Sequence, residues 1–284
     1  MKVNLKNREF NSRIIGTVVG TIGGVSSVLS FLDFSVTFRF RMLCALIALG
    51  VCYYFWLLYK ANHLGSLTLE YGESEIEIKQ GDIFSKEYKT EEMIRVFAFN
   101  EYFDTQVDDN IISKRSLNGQ FIQKEVKSVE QLDADILKDN HLGRNIEKEH
   151  PHRIQGRKHT SYKLGTIYKY SDNVFLTAMT YFDDENRANL TIQEYISFLM
   201  NFWDEINSFY AGRTVVITLL GNGITRLDNN IYSSNQILEI ILWTFYLRRI
   251  KFRKPAELVI LLDKNTNNKI NYYMIRSMFN GLQK

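Results

Sequence analysis

Two long apolar runs open the chain. Ile14 to Leu32 is 19 residues without a charge, and Met42 to Tyr59 is 18 more. A helix crosses a bilayer core with about 20 mostly apolar residues, within a range of roughly 17–25. The pattern therefore predicts a hairpin of two transmembrane helices, with spans at about 14–34 and 42–59 and the segment Asp33 to Arg41 between them. The first run is longer than the apolar core of a signal peptide, and a second span follows at once. Neither run carries the polar face expected of a hairpin buried in a soluble core.

After Asn62 the pattern changes to short alternating segments. Leu67 to Tyr71 and Glu75 to Lys79 alternate around Gly72 and read as a hairpin. Ile94 to Phe99, Leu164 to Tyr170, Val174 to Tyr181, Arg213 to Leu220 and Glu257 to Leu262 read as strands. Val129 to Leu137 is a short helical candidate within a polar stretch, 128–160. Thr191 to Tyr210 reads as a helix. Thr191 and Glu194 form a capping box at its start, and Ile192, Tyr195, Ile196, Leu199, Phe202, Trp203 and Ile206 fall on one face. Asn235 to Ile250 and Asn271 to Leu282 read as two more helices. Strands alternating with helices predict an α/β fold with a mostly parallel or mixed sheet and helices packed on it. The expected division is 1–62 for the hairpin and 63–284 for the sheet domain, with no long linker.

Charge sharpens this division. The chain has 284 residues and a net charge of +3, but residues 1–60 carry +5 and the remainder −2. The sheet domain is thus not a basic nucleic-acid binder. Lys2, Lys6, Arg8 and Arg13 precede the first span and Lys60 closes the second, against Arg39 and Arg41 between them. The positive-inside rule then places both termini in the cytoplasm. Cys44 and Cys52 lie in one apolar run, which offers no disulfide framework. Within the first span Ser12, Gly16, Gly20 and Gly24 recur every four residues, a ridge that allows close helix approach and self-association in lipid. Tyr53, Tyr54, Phe55, Trp56 and Tyr59 form an interfacial aromatic belt near the end of the second.

Ligand chemistry in such a sheet belongs beyond the carboxyl ends of its strands. Gly221-Asn222-Gly223-Ile224-Thr225-Arg226 follows a buried strand. Two glycines one residue apart let backbone N–H groups converge on an anion, and Arg226 adds a cation; the same pattern also serves as an ordinary turn. Gly81-Asp82-Ile83-Phe84 and Ser116-Leu117-Asn118-Gly119-Gln120-Phe121 are further candidates, each equally readable as a turn or surface loop. His141, His150, His152 and His159 accompany Arg153, Arg157 and Lys158 in the polar stretch without ligand spacing for a metal, and read as a solvated loop. Asp183, Asp184 and Glu185 read as a turn. No nucleophile arrangement is present, so no catalytic residue, metal or cofactor is expected.

Three segments in order resemble the macro-domain family. Gln80-Gly81-Asp82-Ile83-Phe84 resembles its opening "GDI" element, Ile94 to Asn100 the strand ending in its first asparagine, and Leu219-Leu220-Gly221-Asn222-Gly223-Ile224 its second phosphate loop. The layout, with "NEYFDT", "LNGQF", "FWDEIN" and "LLGNGITR", is similar to the transmembrane-macro effectors of type II Thoeris antiphage defence. The resemblance implies a macro-like mixed sheet sandwiched between helices. It implies a domain that binds an ADP-ribose-type signal, histidine-ADP-ribose, made from NAD by a partner TIR-domain enzyme. It further implies homo-oligomeric assembly in the bacterial inner membrane, with damage to that membrane as the outcome. Asp82 would accept a hydrogen bond from the adenine amino group with Ile83 beside it, and Gly221, Asn222, Gly223, Ile224, Thr225 and Arg226 would hold the diphosphate. Ser116, Leu117, Gly119, Gln120 and Phe121 would replace the usual glycine-rich loop near the distal ribose, and Asn100 matches the family asparagine loosely. The loop has one glycine and the Asn-Ala-Ala-Asn stretch of enzymatic members is absent, so a reader is expected rather than an enzyme. A membrane-tethered ADP-ribosyl hydrolase and a passively anchored ADP-ribose-binding module are the alternatives.

Overall fold

The computed structural model describes residues 8–31, 34–150, 153, 156–183, 187–223, 226–228, 231–249 and 252–280. They fall into two units: the N-terminal helices to Gly65 with residues 270–277, and the remainder from Ser66.

In the first unit α1 (Arg8–Ser30) and α2 (Val36–Asn62) form a hairpin. Its base is a small core of Phe10, Ile14, Leu58 and Ala61, with Tyr54 and Tyr273 packed against it. The Tyr54 hydroxyl donates to Asn11 Oδ1 at 2.7 Å. Among the described residues only α2 is long and apolar enough to cross a membrane. Of the two expected spans, one is supported on that test, α2. Helix α1 carries four glycines and is less apolar on average than α2. Helix α2 also starts earlier than the charge pattern predicts. Ser35 caps it by accepting from Phe38 N–H at 3.4 Å, so Arg39 and Arg41 lie inside the helix, where long stems can carry their charge outward. The close approach of the two helices uses Gly50 rather than the small-residue ridge. A Cβ there would lie 2.6 Å from Val18 Cγ1, whereas Cβ atoms on Gly16, Gly20 and Gly24 would meet nothing within 4 Å. Those three glycines are exposed.

The second unit is built on a mixed sheet. Its parallel centre runs β2 (Ser74–Gln80), β11 (Leu258–Leu262), β9 (Thr214–Thr218), β3 (Met93–Asn100), β7 (Val174–Phe182). Leu258 to Leu262 are all buried, as a strand covered on both faces requires. Strand β1 (Ser66–Tyr71) pairs antiparallel with β2 and alternates exposed and buried residues, the mark of an edge. On the other side, β6 (Ile167–Ser171) takes the first half of β7 and β8 (Ala188–Leu190) its end, with β10 (Arg226–Leu227) beyond. The sheet has nine strands among the described residues.

Helix α6 (Ile192–Phe209) carries the expected Thr191/Glu194 capping box. It packs on α7 (Ser234–Arg248) through Trp203 against Phe245 at 5.1 Å, and Trp203 Nε1 donates to Thr244 Oγ1 at 3.0 Å. Helix α9 (Tyr272–Asn280) matches the last predicted helix as far as residue 280. The Ser116–Phe121 stretch is not a loop. Ser116 caps α3 (Leu117–Glu125), and Phe121 is buried against Phe97 with ring centroids 4.6 Å apart. The 128–160 stretch holds the predicted α4 (Val129–Lys138), then α5 (Asn140–Arg144) and an antiparallel pair, β4 (Ile146–Glu149) and β5 (Thr160–Tyr162). A short helix α8 (Lys264–Lys269) follows β11.

Candidate functional site

The carboxyl ends of β3, β7 and β9 open onto a cavity of about 570 Å³, the place where such sheets hold ligands. Its floor is Val96 to Asn100 of β3. One wall is Thr218 to Gly221 with Gly223, and another is formed by Asp109 to Ser113 and Arg115 to Asn118. Met179, Thr180, Phe182, Arg187 and Ala188 complete it. The β3–β7 register shifts at the end: Phe99 pairs with Ala178 but Asn100 with Thr180. A bulge of this kind re-aims side chains, and both Met179 and Thr180 line the cavity.

The glycine turn is held from below. Gly221 has φ +83°, and a Cβ there would stand 3.1 Å from the Tyr195 ring. Tyr195 is fully buried and its hydroxyl donates to the Leu220 carbonyl at 2.6 Å. The Asn222 side chain is engaged away from any ligand, donating to Thr266 Oγ1 at 3.1 Å and accepting from Ser234 at 2.7 Å. Gly223 is exposed with open space around it. Ile224, Thr225 and the Arg226 side chain lie outside the described residues, as do His152, Asp184 and Glu185.

The 106–116 segment is stiffened by its own side chains. Asp108 accepts from the Asn110 and Ile111 N–H groups at 2.9 and 2.7 Å, and Asp109 accepts from Lys114 N–H at 2.8 Å. These donors favour the ionised form and hold both carboxyls below their ordinary range. The Ser116 hydroxyl donates to the Ser113 carbonyl at 2.6 Å and accepts from Gly119 N–H at 3.1 Å. A Cβ on Gly119 would collide with that same Ser113 carbonyl, so this glycine in the first turn of α3 permits the preceding segment to close over the helix.

Of the candidate ligand residues singled out in the sequence, Asn100, Ser116, Leu117, Asn118, Gly221 and Gly223 line the cavity. Gly119, Gln120 and Phe121 stand behind its wall in α3, and Gln120 donates to the Arg115 carbonyl at 3.1 Å. Asp82 is exposed after β2, accepts from Phe84 N–H at 3.0 Å, and with the buried Ile83 is not among the lining residues.

Sequence reasoning missed the ion network beneath Asn100. Asn100 Nδ2 donates to Asp104 Oδ2 at 2.8 Å, and its Oδ1 accepts from Tyr102 and Asp104 N–H at 3.1 Å. Asp104 is 2 % exposed. Arg153 neutralises it in a two-pronged contact, 2.6 and 3.2 Å, with its guanidinium 3.6 Å from the centre of the Tyr102 ring. Lys158 donates to the Phe103 carbonyl and pairs with Asp133 at 2.6 Å; burial lowers its pKa against the pull of that carboxylate. His150 meets Ser161 Oγ at 3.1 Å. The basic stretch read as solvated is thus partly an internal brace, because a buried carboxylate needs a counter-charge that only a distant segment supplies.

Glu101 sits beside this brace. Both its oxygens accept from Phe182 N–H, at 3.0 and 3.1 Å, tying the ends of β3 and β7 together. Burial pushes its pKa up to about 8 from the ordinary 4.5. Below pH 4.5 the carboxyl is protonated in both folded and unfolded chains, and its stabilisation is complete. Between 4.5 and about 8 only the unfolded chain releases the proton, so stability falls as pH rises. Glu101→Gln is expected to flatten this decline; urea midpoints of the detergent-solubilised chain at pH 5, 7 and 9 check it, and an unchanged slope in the variant would contradict it.

Comparison with known proteins bears on this geometry. Residues 76–263 match the family model described as Thoeris protein ThsA, Macro domain. Thoeris protein ThsA of Bacillus amyloliquefaciens (strain Y2) is 39% identical over 281 residues, which is 98% of this chain and 93% of that protein. Among solved structures, the Oceanobacillus iheyensis macrodomain with ADP aligns at a TM-score of 0.48 and 12% identity, covering 77% of this chain and 99% of its own. The same macrodomain with MES bound gives 0.47 and 13%, covering 76% and 98%.

Proposed function

The chain belongs to the family of Thoeris ThsA proteins with a macro domain, and from that premise we propose that it is an antiphage defence effector whose sheet domain binds an ADP-ribose-type signal. The observation that carries this reading is the cavity at the carboxyl ends of β3, β7 and β9 with the glycine turn 221–223 on its wall. A diphosphate fits there because a turn of this kind presents backbone N–H groups to an anion. The ligand is histidine-ADP-ribose, supplied by a TIR-domain partner enzyme. Residues 1–62 form the membrane part and 63–284 the cytoplasmic receptor. Asp82 and Ile83, outside that cavity's lining, are assigned the adenine end by the family resemblance, and Gly221 to Arg226 the diphosphate.

The domain reads its ligand rather than cleaving it. Supporting this, the Asn100 amide is engaged with Asp104 and its own turn, and the segment in place of the glycine-rich loop has a single glycine, Gly119, which lies inside α3 and is needed for packing. Binding drives homo-oligomeric assembly through the exposed ridge of Gly16, Gly20 and Gly24, and the assembled helices breach the inner membrane. This requires the ligand to bind the assembled form more tightly than the resting form.

Reconstituted full-length protein in dye-loaded vesicles tests it. Histidine-ADP-ribose is expected to release dye and to be recovered intact, while Gly20→Leu binds ligand but releases none. Release by Gly20→Leu equal to the parent would assign the hairpin a passive anchoring role, and conversion of the ligand would assign a hydrolase.

A further inference from the structure

Arg115 is a cavity-lining residue that neither the diphosphate turn nor the brace accounts for. Its main chain is fixed on both sides: its N–H donates to Ser113 Oγ at 3.2 Å, and its carbonyl accepts from Gln120 Nε2 at 3.1 Å. The guanidinium has no salt bridge within 4.0 Å and makes no hydrogen bond among the described residues. The neighbouring charges are already matched. Asp109, a carboxylate close enough to feel the charge of Arg115, is bound by Lys114 through both its N–H, at 2.8 Å, and its Nζ, at 3.1 Å. Arg187, the other arginine lining the cavity, is paired with Asp183 at 2.9 Å. Among the described residues the cavity therefore presents one guanidinium without a carboxylate partner, held on a stiff segment, on a different wall from the glycine turn.

We propose that Arg115 recognises an anionic group of the ligand outside its diphosphate, and so determines which ADP-ribose derivative is accepted. The inference rests on the binding reading given above. A guanidinium fork matches carboxylate and phosphate oxygens two at a time. The added group is therefore a carboxylate, as on an amino-acid adduct, or a further phosphate monoester.

The experiment is calorimetry on the full chain in detergent with three probes: ADP-ribose, histidine-ADP-ribose and ADP-ribose 2′-phosphate. The parent is expected to prefer one of the two probes that carry an added carboxylate or phosphate, and which one identifies the group. In Arg115→Gln that preference over ADP-ribose is expected to fall about tenfold or more, the worth of a charge-assisted hydrogen bond. Arg115 is exposed, so the variant folds, and thermal unfolding of the same sample verifies it. A preference ratio unchanged by the substitution overturns the proposal, whether or not all affinities drop together. A parent that binds all three equally also overturns it while leaving ADP-ribose binding intact. A folded parent that binds none overturns the binding reading itself.

Discussion

Arg153→Met is expected to cost about 3–5 kcal/mol of folding stability, because it takes the paired guanidinium from the buried Asp104 carboxylate and leaves it only the farther charge of Lys158, which is already paired with Asp133. Against a total of about 5–15 kcal/mol for an ordinary domain, that is a large share of the margin. Asp104 has no cheap escape. It is almost fully buried, and its remaining hydrogen bond comes from the Asn100 amide. Loss of the guanidinium also removes the group stacked on Tyr102 and bonded to the Lys158 carbonyl at 2.8 Å. The turn from Asn100 to Thr105, which fixes the floor of the cavity, then loses its brace. Urea unfolding of the detergent-solubilised chain measures the effect. Removing both charges with Asp104→Asn/Arg153→Met is expected to be less harmful than the two single changes summed, since the pair acts as one unit. A single variant as stable as the parent would mean that this ion pair holds nothing.

Gly221→Val is expected to abolish ligand binding and to destabilise the fold by about 1–3 kcal/mol, the cost of forcing a β-branched residue into a left-handed conformation. The new side chain would also press on the Tyr195 ring, whose hydroxyl anchors the strand end at Leu220. Gly223→Glu provides the contrast. Its Cβ has open space, so the fold is expected to persist, while the added carboxylate repels a diphosphate. Thermal unfolding and calorimetry on both variants separate the two effects. Equal stability of Gly221→Val and Gly223→Glu would contradict the strain argument.

Periodicity made the large elements legible. The apolar face of α6 repeats at helical spacing over 18 residues, and β11 is an unbroken apolar run; both appear in the structure nearly as read. Elements without a periodic signal were not legible. All of β4 is exposed, so it shows no alternation. Helix α3 is nine residues long with a glycine inside, and only Gly119, Phe121 and Ile122 are buried. In α1, freedom from charge suggested a span, but small polar residues and glycines keep its hydropathy below that of α2.

The site divides the same way. The glycine turn was visible because glycines after a buried strand have a local physical reason. The partners of Asn100 and Asp104 were not, because Arg153 lies 49 residues from Asp104 and spacing carries no record of so distant a pairing. The turn after β2 was visible as a motif, yet Asp82 uses its carboxylate to cap its own turn.

The central claim is that the cavity at the strand ends binds an ADP-ribose-type signal and returns it unchanged. The most direct test is calorimetric titration of the full chain with histidine-ADP-ribose and ADP-ribose, followed by mass analysis of the recovered ligand. Saturable binding that is lost in a folded Gly223→Glu, with the ligand intact, is the predicted result. No binding of either compound by the folded parent, or ligand cleaved during the titration, would contradict it.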